Sequence, residues 1–316
     1  MKSIKLLPYI FLYIFTISCG QNTAKNNESK IMKNYQYKTD KRTVYGMDLT
    51  VPGPYELYIN DIAARKDYGT GMHNTFIEIN PYVLKSGTYK FVLKLLPMPS
   101  ELAKGGIQPS TIDFLKVAIS SYEKTGTKEQ GKSYEKIKIY PITKIDEPVP
   151  FYEVKGEFSI NLPYELEGWG KGQDLSKIDK AELEKKVVAF YEKSRAILNN
   201  GDADTWSKLT EKRLNETYIF NYTFDDEKKA IEEENSDIIK LRNKNNMLPL
   251  SDYTLKLYCN NKLVCLERNP TKTFEGYEAN INGWSPLIRK YKNAVTPSQI
   301  MLYLPQNSND FVIIRK

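Results

Sequence analysis

From Tyr35 to about Leu166 the hydrophobic pattern has a period of two, not 3.6. Thr43–Val51, Tyr55–Ile59, Thr75–Ile79, Thr88–Leu96, Leu115–Tyr122, Tyr134–Ile142 and Phe151–Ile160 alternate apolar with polar residues, the period of a strand with one buried face. Pro52-Gly53-Pro54, Asn60-Asp61, Asn80-Pro81 and Ser86-Gly87 punctuate these runs and supply turn geometry. Short strands at such spacing predict an antiparallel β-sandwich over residues 35–166.

Gly168-Trp169-Gly170-Lys171-Gly172 marks a change of period and predicts a linker over residues 167–177. Its glycines lack the final Gly-Lys-Ser/Thr of a phosphate-binding loop. Asp179 and Glu182 then predict a capped helix start. Leu183, Val187, Phe190, Tyr191, Ser194 and Leu198 form one helical stripe, which Asn199-Asn200-Gly201 ends. A shorter helix from Ala203 to about Leu214 buries Trp206 and Leu209. Ile219-Phe220 suggests a brief strand, and Thr223 with Asp226 opens a third helix carrying Ile231, Ile238 and Leu241 inward. Tyr253–Cys259, Leu263–Arg268, Gln299–Leu304 and Phe311–Ile314 read as closing strands. The expected class is α+β: a sandwich, then a helical-then-stranded domain over residues 178–316.

The N-terminus follows neither period. Lys2 and Lys5 precede an uncharged run, Leu6–Ile17, whose twelve helical residues would span about 18 Å, short of the roughly 30 Å hydrocarbon core. This is the pattern of a secretory signal over residues 1–18. Thr16-Ile17-Ser18-Cys19-Gly20 resembles the lipobox of bacterial lipoproteins, although that family prefers Leu and a small residue where Thr16 and Ile17 stand. The resemblance implies cleavage before Cys19 and lipid attachment to it. By the same resemblance Gly20, in place of Asp, implies sorting to the outer membrane, and the lack of the acidic cluster that directs some lipoproteins to the surface implies a periplasm-facing position. Gln21–Asn34 has no apolar period and reads as a disordered tether. The element order of residues 178–316 resembles the cone-shaped nuclear-transport-factor-like (cystatin-like) fold. Some members of that superfamily are isomerases or dehydratases with an Asp, His or Tyr inside the cone.

Composition narrows the remaining chemistry. With 41% hydrophobic and 27% charged residues, the chain has material for real cores and is no disordered tail. Of the net charge of +7, the first 34 residues carry +4, so neither half has the basic field that nucleic-acid binding requires. The three cysteines and the single histidine, His73 in a Gly-rich loop, give no metal-ligand cluster, and no cofactor motif is present. Glu232-Glu233-Glu234 reads as a solvated helix face. Cys259 and Cys265 flank an Asn260-Asn261 turn: a three-residue loop would oppose them for a disulfide, a two-residue loop would send them to opposite faces. Thirteen of the 23 tyrosines lie in residues 35–166, where half-buried strand positions suit them. Trp169 and Trp284, flanked by Gly, Asn or Pro, are the candidate partner-binding residues.

These features predict a membrane-anchored binding module for another envelope protein, including a toxin-neutralising immunity type. They assign no catalytic residue and leave the oligomeric state open. A sugar or envelope-polymer binder using the sandwich, and an enzyme with its site in the cone, are the alternatives.

Overall fold

The computed structural model describes residues 35–124, 133–223, 227–240, 242, 244–269, 283–291 and 294–315. The signal segment, Cys19 and the tether lie outside these residues, as do Asp226 and Leu241. The sandwich forms as the alternation requires. Strands β1 (Thr43–Pro52), β4 (Met72–Glu78), β6 (Lys116–Glu123) and β7 (Glu135–Tyr140) make one antiparallel sheet in the order β4-β1-β6-β7. Strands β2 (Tyr55–Ile59), β3 (Ile62–Asp67), β5 (Gly87–Leu95) and β8 (Tyr152–Ile160) make the other, in the order β3-β2-β5-β8. Met47, Leu49 and Val51 of β1 face Leu57, Phe91 and Leu93 of the second sheet in one buried core. Each such side chain contributes about 1.5–3 kcal/mol when fully removed from water.

β3 is the strand the sequence hid. Ile59 pairs with Ile62 across a two-residue hairpin whose Asn60 and Asp61 both have positive φ, at 52° and 58°, the conformation these residues tolerate best. Past Ile62 the strand is Ala-Ala-Arg-Lys-Asp, without apolar alternation. His73 lies inside β4, not in the expected loop. Two one-turn helices, α1 (Pro99–Leu102) and α2 (Pro109–Ile112), close one end of the sandwich around buried Glu101. That carboxylate accepts hydrogen bonds from Met98 N, Gln108 N and Thr111 Oγ1.

The second half begins with α3 (Lys180–Asn200). Asp179 caps it by accepting from Ala181 N and Glu182 N, while Glu182 pairs with Lys186 and does not reach back. The predicted stripe is buried except for half-buried Phe190, and Gly201 ends the helix at φ 64°. α4 (Ala203–Asn221) runs seven residues, about two turns, beyond the expected Leu214. Ile219 and Phe220, expected as a strand, are its last buried turn and insert into the sandwich core. α5 spans Glu227–Lys240, with Ile238 buried. Strands β9 (Tyr253–Tyr258), β10 (Leu263–Arg268), β13 (Met301–Tyr303) and β14 (Val312–Arg315) form an antiparallel sheet in the order β14-β13-β10-β9. A separate hairpin joins β11 (Ile288–Tyr291) to β12 (Ala294–Pro297).

Both faces of that second-half sheet are covered. Val264, Leu266, Leu302 and Ile313 pack on Leu183, Val187 and Tyr191 of α3. On the reverse face Leu263, Cys265, Met301 and Ile314 pack with Ile62 of the sandwich and with Trp169. All six residues of β10 are therefore buried, which suits its nearly unbroken apolar run.

Residues 167–177, expected as an exposed linker, are pinned at two points, Trp169 in this reverse face and Leu175 in the core on the α3 side, while Glu167, Gly170, Lys171, Ser176 and Lys177 are exposed. Trp169 is 2% and Leu175 0% exposed. Gly168 N donates to Glu216 of α4, and Gln173 N to the Leu304 carbonyl. Arg315 completes the joint: its Nη1 bonds Glu216 at 2.9 Å, and its Nε donates to the Pro81 carbonyl at 2.8 Å. The guanidinium lies 4.9 Å from the Trp169 ring centroid and 5.0 Å from that of Phe220. The described residues accordingly form one compact unit.

Candidate functional site

Beside this joint the surface opens into a cleft of about 1190 Å³. α4 presents Arg213, Leu214, Thr217 and Asn221 to it, three to four positions apart and so on one helix face. α5 adds Glu234, Asp237 and Ile238 at the same spacing. Arg289 of β11, Gln299 beyond β12, Arg315 of β14, and Glu78, Pro81 and Tyr82 of the sandwich complete the walls. The cleft is thus assembled from both halves of the chain.

Its polar groups are held in place. Trp206 Nε1 donates to Glu234 Oε1 at 3.0 Å; Arg213 lies 3.5 Å from the same oxygen and donates to the Gln299 carbonyl at 3.3 Å. Burial lowers the Arg213 guanidinium below the usual arginine range, against the opposing pull of Glu234 and Tyr218. Arg289 Nη2 donates to the Leu198 carbonyl at 3.1 Å, and its buried Nε has no hydrogen-bond acceptor. Burial lowers Arg289 as well, opposed among the described residues by Asp237. Asp237 is exposed and bonds Lys240 at 3.1 Å. Fixed guanidinium donors beside apolar Leu214, Phe220 and Ile238 suit recognition, since their orientation is set before a ligand arrives.

A second polar cluster seals the seam between β3 and β10. Lys66 Nζ lies 2.5 Å from Glu267, whose other oxygen accepts from Tyr258 at 2.6 Å, with Cys265 Sγ 3.9 Å away. Beside it Glu56 accepts from Tyr58 at 2.7 Å and Tyr68 at 2.6 Å. Burial pushes Glu56 up, but those two hydrogen bonds with Lys66 and Lys94 outweigh it and hold the carboxyl below its usual range. His73 sits apart, one ring nitrogen 3.1 Å from the Gly69 carbonyl and the other 3.7 Å from Asp67, so both are engaged.

The sequence-derived candidates fare unevenly. Trp169 is no exposed anchor: it plugs the joint, its Nε1 donating to Cys259 Sγ at 2.9 Å. Trp284 is half-buried, its carbonyl accepting from Arg268 N. Cys259 and Cys265 are free and buried. Leu257 pairs with Val264, which leaves Cys259 in the turn and sets Cys265 opposite Lys256. That is the two-residue-loop register, and it forms no disulfide. Cys19 lies outside the described residues. Glu234 belongs to the run read as a solvated face, yet it is the carboxylate that anchors Trp206 and Arg213. Arg213, Arg289 and Arg315 were not singled out from sequence, because only the fold brings positions 213, 289 and 315 together. Among the described residues no helix is long and apolar enough to cross a membrane. Neither the models of known protein families, nor the curated proteins, nor the solved structures provide a match to this chain.

Proposed function

We propose that this protein is a lipid-anchored bacterial envelope protein that acts by binding another protein, with Cys19 as the lipidated residue and the joint cleft as the binding surface. The observation that carries the reading is the cleft, whose walls require both halves and whose arginine side chains are preset by protein contacts. Its volume of about 1190 Å³ exceeds the roughly 300–1,000 Å³ of ordinary small-molecule pockets, which favours a segment of a partner over a metabolite. The anchor rests on the lipobox-like residues Thr16–Gly20 and on the stability that two or more acyl chains give, each buried CH₂ contributing about 0.8 kcal/mol.

The test is cross-linked capture from intact envelopes with the wild-type chain and Leu214→Arg, which places a charge in the cleft. The reading expects a partner that the wild type retains and the folded variant loses. Equal capture by both, or turnover of a small molecule by the wild type, defeats it. Cys19→Ala should leave the membrane fraction; a variant that still sediments after a salt wash removes the anchor from the reading.

A second reading has its own observation. The outer face of the β4-β1-β6-β7 sheet carries Phe76 lying over Gly46, with Tyr122 at 5.7 Å and Tyr134 at 6.4 Å between ring centroids. Tyr134 donates to Asp48 at 2.5 Å. Aromatic faces beside carboxylates suit the sugar-binding alternative, which Tyr134→Ala would test against the same envelope material.

A further inference from the structure

We infer that the occupant of the cleft is an acidic segment of the partner protein, its carboxylates on Arg289 and Arg213 and its apolar side chains against Leu214. The inference rests on the cleft being the binding surface and adds the chemistry of what enters it.

Charge is the first ground. Among the described residues lining the cleft, five are cationic and three are acidic, and the pairing among them is uneven. Arg315 has Glu216 at 2.9 Å, and Arg213 shares Glu234 with the Trp206 N–H. Among the described residues Arg289 has a neutral carbonyl for its Nη2 and no acceptor for its Nε. The carboxylate whose charge acts on it, Asp237, is bound to Lys240. A half-buried guanidinium without a carboxylate of its own is costly, and a planar carboxylate is the group its fork of donors matches. The apolar wall is the second ground, since a small hydrophilic anion would leave half-buried Leu214 uncovered. The excess of two positive charges is too small for nucleic acid, which needs neutralisation of many phosphates.

The experiment uses the full chain in detergent and a fluorescent ten-residue peptide of alternating Glu and Leu. Controls are the Gln-Leu counterpart and inorganic phosphate as competitor. The Glu-Leu peptide is expected to bind with Kd below about 1 mM and to weaken as salt rises. Arg289→Gln should weaken it about tenfold or more, the usual size of a lost charge-assisted hydrogen bond. Arg289→Lys should recover part of this. Lys240→Glu, on the exposed surface of α5 and harmless to the core, should weaken it severalfold. Arg195→Gln, on α3 outside the cleft, should leave it unchanged.

Equal binding of the Gln-Leu peptide, abolished by Leu214→Arg, would overturn the acidic inference while leaving the cleft as the binding surface. Binding indifferent to Arg289→Gln, Lys240→Glu and Leu214→Arg alike would overturn both. Displacement by phosphate at concentrations comparable to the peptide would mark a small-anion site and overturn the segment. Absence of peptide binding up to about 1 mM would overturn the inference outright.

Discussion

Replacing Glu216 by Gln removes the counter-charge of Arg315 while keeping an acceptor for the Gly168 N–H. Both side chains are almost fully enclosed, 4% and 7% exposed, at 2.9 Å. Removing one partner of such a pair leaves the other charge buried and costs about 3–5 kcal/mol. Arg315 would retain its bonds to the Pro81 and Ile314 carbonyls, neutral acceptors that do not replace a carboxylate. Arg315→Met should cost nearer the low end, about 3 kcal/mol, because Lys212 remains 3.4 Å from Glu216. The Glu216→Gln/Arg315→Met double variant should be more stable than the sum of the singles implies, by about 2 kcal/mol. In thermal unfolding followed by circular dichroism, each single change should lower Tm by about 6–10 °C, at about 2 °C per kcal/mol for a chain of this size. Because the hydrophobic cores themselves are shared by both halves, the variants should still melt in one transition, and residues 167–177 should resist proteolysis in the wild type. Additive single effects, within about 0.5 kcal/mol, would refute the assigned coupling. Two separated transitions in the wild type would refute the joint.

Three further outcomes are expected. Gly106→Ala should destabilise by about 1–3 kcal/mol or more, since Gly106 has φ 124° and an added Cβ would lie 2.2 Å from the Val149 carbonyl oxygen; chemical denaturation measures it. Glu56 has a folded pKa below its ordinary 4.5, so its stabilisation is full above pH 4.5 and is lost as pH falls through the lower folded value. Melting temperatures of Glu56→Gln should accordingly fall less steeply than wild type below pH 4.5. Burial raises the thiols of both Cys259 and Cys265, so neither should react with a thiol reagent in the native protein; in urea two should react if Cys19 is lipidated and three if it is not.

The sandwich was legible because its strands bury one face fully and the other only in part, as Tyr55-Glu-Leu-Tyr-Ile59 does residue by residue. β3 was not, because its place in the sheet is set by its hairpin and by cross-strand bonds to β2, not by its own apolar content. Ile219-Phe220 misled for the opposite reason. Two apolar residues of strand-prone type sit at a helix end because the sandwich core offers them a place, and tertiary burial outweighs propensity. Gly168-Trp169-Gly170 read as flexible, yet at Gly168, φ 49°, a Cβ would meet the Leu84 side chain at 2.2 Å. The glycine there permits close packing. The cleft was invisible for a simpler reason: Arg213, Arg289 and Arg315 have no common period, and Glu234 differs from Glu233 only in the side of α5 it occupies.

The joint also sets an order of events in folding. Arg315 bonds a carbonyl 234 positions earlier in the chain. At about 5–20 residues per second of synthesis, that separation corresponds to roughly 10–50 s. Over that interval the sandwich would hold Ile62 and Tyr82 without the β10, β13 and β14 residues that cover them. Contacts this far apart in sequence close late, and the uncovered β3 edge is a template for unwanted strand pairing until then. A chain with this architecture needs a holding partner, or a fast second half, while its first half waits.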